Sequence, residues 1–500
     1  MVLPTPPSDH QKYLYVDQNK WLFYGWGLAS FLCLIAGMSI FSLTHKNVFI
    51  YAVFTVLTAF YLGLSYWIGI FGRSFDLMRH SRLIGMWSGG KPTIDVYLPS
   101  CGEPLEVLEN TYRHVRALRW PEGQIHVWVL DDSHRTQVAQ LADRFEFQYI
   151  ARPNRGELKK AGNIRYAFPR TSGELILILD ADFCPRPDML EEMVPYFNSD
   201  ERIAIVQSPQ YFEIQDSQSW IEKGAAYVQE LFYRMVQTNR DTWGASICVG
   251  TCALYRRRAL EPHGGTYPIA YSEDLHTGWQ ALIDGWKVKY VPLNLSKGIC
   301  PETMSAYWVQ QTRWCTGSTS LLLSRKFWAS KMPLMQRLCY VSGMSYYVAT
   351  ALSVILTPLP GLFIVWFHPD RVFWFNYLFS LPSFIFGVLI VAMWGRAPFG
   401  AYVLSARQVS YYAHLFALWD KLKGSMIAWV PTGDSRSTKS VKRYSDFKAA
   451  MFAWVSFTTA LGLAGAFYRM DSLISYNFYP LLFFCAFNFW ISFRAFSEEA

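Results

Sequence analysis

Glu174-Leu175-Ile176-Leu177-Ile178-Leu179-Asp180-Ala181-Asp182 is the stretch on which the fold turns. Its unbroken aliphatic run predicts a short strand buried on both faces of a parallel sheet. The run ends in two carboxylates separated by one small residue. Ligands of an open α/β sheet bind beyond the carboxyl ends of its strands. Two acids there, in a chain of net charge +8, suit a divalent cation held against a phosphate-bearing ligand. Asp-x-Asp is also common in surface loops, so the neighbouring sequence decides.

Upstream, residues 93–99, 126–130 and 147–151 read as further strands. Residues 104–118 read as a helix, with apolar positions at Leu105, Leu108, Tyr112 and Val115. Strand and helix alternate, which predicts an open, mostly parallel α/β sheet. A second strand end carries Asp131-Asp132-Ser133, which suits either a helix cap or acceptors for a nucleoside. Residues 152–163 are expected to form a basic loop. Within it, Lys160 beside Gly162 can approach phosphate, or can simply be solvated. Ser272-Glu273-Asp274 opens an apparent helix, as acidic first-turn residues or as a general base. Gln310-Gln311-Thr312-Arg313-Trp314 lies in an amphipathic segment, where an Arg–Trp pair also suits a membrane surface.

The α/β segment sits between apolar blocks. Of 500 residues 52% are hydrophobic, with 20 Trp, 30 Tyr and 36 Phe. Windows 21–44 and 48–71 precede it, and 338–367, 372–394, 449–468 and 473–493 follow, all free of Asp, Glu, Lys and Arg. Each can cross about 30 Å of hydrocarbon, so about six spans are expected, two before and four after the insert. Lys and Arg cluster after the second span, before the third, and between the fourth and fifth. The positive-inside rule then places both termini and the insert in the cytoplasm of a multi-pass plasma-membrane protein. Cys101, Cys184, Cys248, Cys252, Cys300 and Cys315 of the insert fit a reducing compartment. The expected organisation is 1–82 (first two spans), 83–335 (soluble α/β domain) and 336–500 (four spans), with an interfacial helix at 401–427. Residues 1–20 are expected to be loosely ordered. The basic balance reflects topology, lipid headgroups and a phosphorylated substrate, and not nucleic acid.

Taken in order, Asp131-Asp132, Asp180-Ala181-Asp182, Glu273-Asp274 and Gln310-x-x-Arg313-Trp314 resemble the motif set of the membrane-integrated, processive family-2 glycosyltransferases. These are the cellulose, curdlan, mixed-linkage glucan, chitin and hyaluronan synthases. Pro99-Ser100, Glu103-Pro104, Lys160-Ala161-Gly162-Asn163 and Ile247-Cys248-Val249-Gly250-Thr251 support the match. The resemblance implies a GT-A (Rossmann-like) domain and inverting transfer from UDP-glucose to a nascent β-glucan, with Mg²⁺ or Mn²⁺. By position, Ser100, Glu103, Asp131, Asp132, Lys160, Asp180, Gln310 and Arg313 would bind the UDP-sugar. Asp180 and Asp182 would hold the metal, and Asp274, beside Glu273, would be the general base. Trp314, Cys248 and Gly250 would meet the acceptor. Two departures stand out: Ser133 replaces the usual glycine, and Ser272 the usual threonine. Residues 428–446 resemble the cellulose synthases' gating loop only distantly, with Trp429 and Thr432 as candidate contacts. Because the chain stops at Ala500, a cyclic-dinucleotide-binding domain is not expected. The alternatives are a hyaluronan- or chitin-type synthase using UDP-GlcNAc, and a transporter, which charge-free spans disfavour.

Overall fold

The computed structural model describes residues 3–424, 438–470 and 475–497. Its soluble part is built on a seven-stranded sheet of order β3-β2-β1-β4-β7-β6-β8. The strands are β1 (Ile94–Ser100), β2 (Ile125–Asp131), β3 (Gln148–Ile150), β4 (Leu175–Ile178), β6 (Ile203–Gln207), β7 (Ala253–Arg256) and β8 (Lys287–Tyr290). β1 to β4 are parallel, and β7 runs antiparallel between β4 and β6. A two-residue pair, β5 (Cys184–Pro185) with β9 (Ser296–Lys297), lies beside the sheet. The parallel α/β expectation holds.

Alternation explains why β4 is so apolar. Leu175, Leu177 and Leu179 face a core shared with Leu108, Tyr112 and Val115. Ile176 and Ile178 face the opposite core, with Ile164, Leu275 and Trp279. Burial on both faces leaves no polar position until the chain leaves the sheet at Asp180.

The 152–163 loop is corrected. A helix, Lys159–Ala167, begins inside it, entered through left-handed backbone at Leu158 and Lys159. Gly162 is there for close packing: a Cβ would lie 2.1 Å from the Glu157 carbonyl oxygen and 2.3 Å from Arg152 Nη1. The N-terminal segment is corrected as well, because it is strapped to the sheet domain. Buried Lys12 pairs with Asp188 at 2.8 Å and Glu192 at 2.5 Å. Asn110 and Arg186 donate to the carbonyls of Pro4 and Pro7, which explains how a polar, proline-containing stretch becomes ordered.

Among the described residues, five helices are long and apolar enough to cross a membrane: Lys20–Thr44, Phe49–Phe71, Leu334–Phe367, Lys442–Tyr468 and Ser475–Phe496. The window 372–394 differs, giving a 3-10 segment and then the shorter apolar helix Leu381–Trp394. Pro382, in that helix's first turn, lacks an amide hydrogen and sets the helix start. Large apolar side chains such as Leu43 and Phe49 stay exposed on these helices, as lipid-facing positions do. The chain is a membrane protein.

The 401–427 expectation appears as the helix Ala401–Leu422. It crosses the helix Trp220–Glu230 so closely that a Cβ on Gly224 would lie 2.5 Å from the Ala406 methyl. It also holds the helix Met304–Leu322 through Tyr307 and Ser410 (2.7 Å) and through Lys421 to Thr319 (3.1 Å). Trp429 and Thr432 lie outside the described residues.

Candidate active site

The site forms at the carboxyl ends of β1, β2 and β4, where Ser100 and Asp131 are register partners. Asp180 follows β4, and its backbone N–H donates to Thr251 Oγ1 at 2.8 Å, which fixes the turn carrying both acids. Lys160, in the first turn of its helix, donates to Asp180 Oδ1 at 2.5 Å and to the Gly250 carbonyl at 2.7 Å. It is therefore not a solvated lysine. Burial works to lower its pKa, but Asp180, Glu273 and Asp274 outweigh burial and raise it.

The helix Glu273–Ile283, with both acids in its first turn, starts from Ser272 in left-handed backbone with no side-chain cap. Asp274 accepts from the Leu275 N–H at 2.8 Å. Its other side abuts Gly250, where a Cβ would lie 3.0 Å from the carboxylate. Gly250 also has φ +76, a second reason for glycine. Burial first, then the charge of Glu273, pushes the Asp274 pKa up to about 7. Burial raises Glu273 too, while Lys160 opposes the rise.

Asp182 is likewise pushed up to about 7, by burial and then by Asp180. Glu103 is raised by burial, although the Cys101 N–H donates to it at 2.6 Å. Asp182, raised by burial and then by the Asp180 charge, has no cation paired with it among the described residues, since Lys160 is bonded to Asp180. Asp180 and Asp182 therefore fit a divalent cation completed by ligand oxygens. Among the described residues, no group of three or more His, Cys, Asp or Glu side chains is arranged as a metal cage.

Arg313 and Gln310 arrive on the helix Met304–Leu322. That helix seats on the Ser272–Asp274 segment at Gly317, whose hypothetical Cβ would overlap Ser272 Oγ at 1.9 Å. Arg313 faces Glu273, Asp180 and Asp274, the same three acids that face Lys160. Its guanidinium forms no hydrogen bond or salt bridge among the described residues. Gln310 Oε1 is buried without a partner among the described residues. Trp314 is half-buried on the same helix. Cys248 is buried beside Asp274 and bonded to Tyr255 (3.0 Å), and burial pushes its thiol up to about 12.

The Asp131-Asp132 pair is committed elsewhere. Asp131 is fully buried and accepts from the backbone of Ser133 and Arg135 (2.8 and 2.9 Å), from the Ser133 hydroxyl and from Tyr149 (3.0 Å). This is a side-chain turn of the kind Asp favours; the helix that follows, Thr136–Arg144, has Arg135 at its N-cap and no side-chain cap. Asp132 forms a buried bidentate pair with Arg152 at 2.6 and 2.8 Å. Ser100 lies within 3.5 Å of Asp131. Arg152, Tyr149 and Thr251 are site-building residues that sequence reasoning missed. Only Thr251 lay inside a recognised motif.

A cavity of about 750 Å³ opens among the apolar helices, lined by Phe31, Tyr51, Phe54, Tyr61, Arg407 and Tyr411 among others.

Parallel strands ending in paired acids, with a lysine-bearing helix and an acid-bearing helix converging on them, form a GT-A domain joined to membrane helices. Residues 95–264 match glycosyl transferase family 2. Over 278 residues the chain is 34% identical to the cellulose synthase 1 catalytic subunit [UDP-forming] of Komagataeibacter xylinus, covering 54% of this chain and 37% of that one. It is 31% identical over 260 residues to the cellulose synthase catalytic subunit [UDP-forming] of Xanthomonas axonopodis pv. citri, covering 51% and 36%. The chain thus carries a family-2 glycosyltransferase domain similar to that of cellulose synthase catalytic subunits, and it aligns with less than two-fifths of these relatives' length. The mannosyltransferase PcManGT from Pyrobaculum calidifontis, solved with GDP-Man and Mn²⁺, shares the fold: TM-score 0.53, 16% identity, 74% of this chain and 99% of that one.

Proposed function

We propose that this chain is a processive, inverting glycosyltransferase that polymerises glucose from UDP-glucose into a β-glucan and passes the product through its membrane helices. The observation that carries the reading is the convergence of Lys160 and Arg313 on Asp180, Glu273 and Asp274. Cations facing acids across a site at the sheet edge suit a reaction that releases a nucleoside diphosphate while deprotonating a hydroxyl.

In this reading Arg313 and Lys160 bind the diphosphate, since each presents donors that the ligand can take over. The Gln310 side-chain amide N–H is a further donor for the diphosphate. Asp180 and Asp182 hold Mg²⁺ or Mn²⁺, which when bound neutralises charge on the leaving diphosphate. The metal-bearing relative by fold supports that assignment. Asp274, with a pKa near 7, takes the proton from the acceptor hydroxyl as that oxygen attacks the anomeric carbon. Asp131 and Asp132 contribute to the uridine pocket indirectly, by setting the loop of Ser133, Arg135 and Tyr149. Ser100 and Glu103 line its floor. Trp314 offers the acceptor an apolar platform, with Gly250 and Cys248 behind it.

Residues 83–335 form the catalytic domain in the cytoplasm, with 1–82 and 336–500 as membrane segments and both termini inside. Lys and Arg placement supports that orientation, and the aromatic-lined cavity supports a glycan path. The test is UDP release by the purified chain across several UDP-sugars, followed by linkage-specific glucanase digestion of the product. A long, glucanase-sensitive polymer from UDP-glucose is expected. A short glycolipid alone, or turnover confined to UDP-GlcNAc, would overturn the reading.

A further inference from the structure

Residues 247–251 belong to no helix or strand, yet Cys248, Gly250 and Thr251 are buried. Backbone removed from water needs partners, and here three glutamines supply them. Gln237 mates with Ile247 as a neighbouring strand would. Its Oε1 accepts the Ile247 N–H at 2.9 Å, and its Nε2 donates to the Ile247 carbonyl at 2.6 Å. Gln207 spans the next turn: its Oε1 accepts the Val249 N–H and its Nε2 donates to the Thr251 carbonyl, both at 3.0 Å. Gln210 donates to the Val249 carbonyl at 3.0 Å. Gln207 and Gln237 are fully buried.

The residue type follows from the task. A primary amide offers a donor and an acceptor in one plane without a charge, whereas a carboxylate lacks the donor and an aliphatic side chain lacks both. Gln207 is the last residue of β6. Gln237 is delivered by an uncommon backbone form, ending the π-helical stretch Leu231–Gln237 between the helices Trp220–Glu230 and Thr238–Asp241. Such stretches recur at functional sites.

The clamped loop touches every charged element of the site. The Gly250 carbonyl accepts from Lys160, and Thr251 Oγ1 accepts from the Asp180 N–H. Gly250 abuts Asp274, and Cys248 packs on the helix Glu273–Ile283 at Gly278, where an added Cβ would lie 3.0 Å from the Cys248 Cβ. We propose that Gln207 and Gln237 are positioning residues for the transfer, each acting through a different end of this loop. Gln207 sets the Gly250–Thr251 end, which holds Lys160 and Asp180 for the donor. Gln237 sets the Ile247–Cys248 end, against which the helix carrying Asp274 is seated. The proposal rests on the glycosyltransferase reading above and deepens it.

The test uses the full chain in lipid nanodiscs, with UDP release, equilibrium binding of Mn²⁺-UDP and amide hydrogen exchange as readouts. Methionine keeps the length of glutamine and removes both hydrogen-bonding groups. Gln237→Met is expected to lower kcat about a hundredfold while KM for UDP-glucose and Kd for Mn²⁺-UDP stay within about twofold. Gln207→Met is expected to raise both KM and Kd about tenfold. Gln237→Glu, which keeps an acceptor for the Ile247 N–H, should recover part of the lost kcat. Exchange across 247–251 should quicken in both Met variants. A merely structural role would reduce the amount of folded protein and leave these constants unchanged per UDP-binding molecule; that result overturns the proposal. Identical changes in the two Met variants, or unaltered exchange of the loop, overturn it as well. If Gln207→Met folds poorly, Gln210→Met, which loses only the bond to the Val249 carbonyl, takes its place; an unchanged Kd there overturns the assignment of the donor end. Failure of the glycosyltransferase reading is separate: no UDP release by the wild-type chain from any UDP-sugar, with the binding and exchange results still judging the clamp.

Discussion

Replacing Asp274 by Asn should abolish transfer and, at the same time, stabilise the protein above neutral pH. The carboxyl rises from 3.8 to about 7 because it is buried and stands beside Glu273. Between those values the folded state binds a proton that the unfolded chain has released, so stability falls as pH rises from about 4 to about 7. At about 1.4 kcal/mol per pH unit, the ceiling is on the order of 4 kcal/mol, less whatever Glu273 absorbs by titrating with its neighbour. Asn keeps the shape and removes the charge. Apparent melting temperatures of the solubilised wild type and variant should therefore coincide near pH 4.5 and diverge by pH 8, with the variant higher. UDP release should fall by at least a thousandfold, while UDP binding, which relies on Lys160 and Arg313, stays close to wild type. Persistent turnover would refute the base assignment, and a stability difference of equal size at both pH values would refute the electrostatic argument.

Glu273→Gln removes the nearest like charge, so the acidic limb of the kcat/KM profile should move down by about one pH unit; an unmoved limb would show that burial alone sets it. Lys160→Ala breaks the 2.5 Å pair with Asp180 and should raise KM for the UDP-sugar tenfold or more, read by initial rates. Gly250→Ala forces a side chain into φ +76 and into the Asp274 carboxylate at 3.0 Å; a loss of about 1–3 kcal/mol in stability and of most activity is expected from thermal unfolding and UDP release. Adding Mn²⁺ with UDP should raise the melting temperature more at pH 8 than at pH 5, because Asp182 is pushed up to about 7 and must lose its proton to ligate.

How much of this was legible depended on whether a residue's neighbours lay close in sequence. β4 could be read because a strand buried on both faces has no polar position, and its end at Asp180 is where that constraint stops. The lysine of residues 152–163 was found but its setting was not: glycine and charge suggest a loop. Gly162 in fact allows a helix to pack against the Glu157 carbonyl and the Arg152 guanidinium, contacts that no local pattern reveals. The strap of residues 3–19 was missed for a similar reason. Its order comes from Asp188, Glu192 and Asn294, the last of which donates to the Gln11 carbonyl at 2.9 Å, all distant in the chain. Window 372–394 shows a limit of composition, which counts apolar residues but not where Pro382 restarts a helix.

The least legible point was the division of labour between the two acidic strand ends. Both are Asp-rich turns after buried strands, yet one is saturated and the other is not. Asp131 has its oxygens taken by the turn that follows it, and Asp132 has Arg152; neither has an acceptor left for a cation. Asp180 shares one lysine with the Gly250 carbonyl, and Asp182 has no side-chain donor among the described residues. A carboxylate whose acceptors are satisfied within the protein holds a shape, and one left unsatisfied beside another acid demands a cation. Asp132→Asn should therefore reduce stability by about 3–5 kcal/mol, because Arg152 is left charged and buried, whereas Asp182→Asn should remove metal-dependent activity with little loss of stability. If the two variants exchanged these phenotypes, the metal would belong to the Asp131-Asp132 turn and the site would have to be rebuilt around β2.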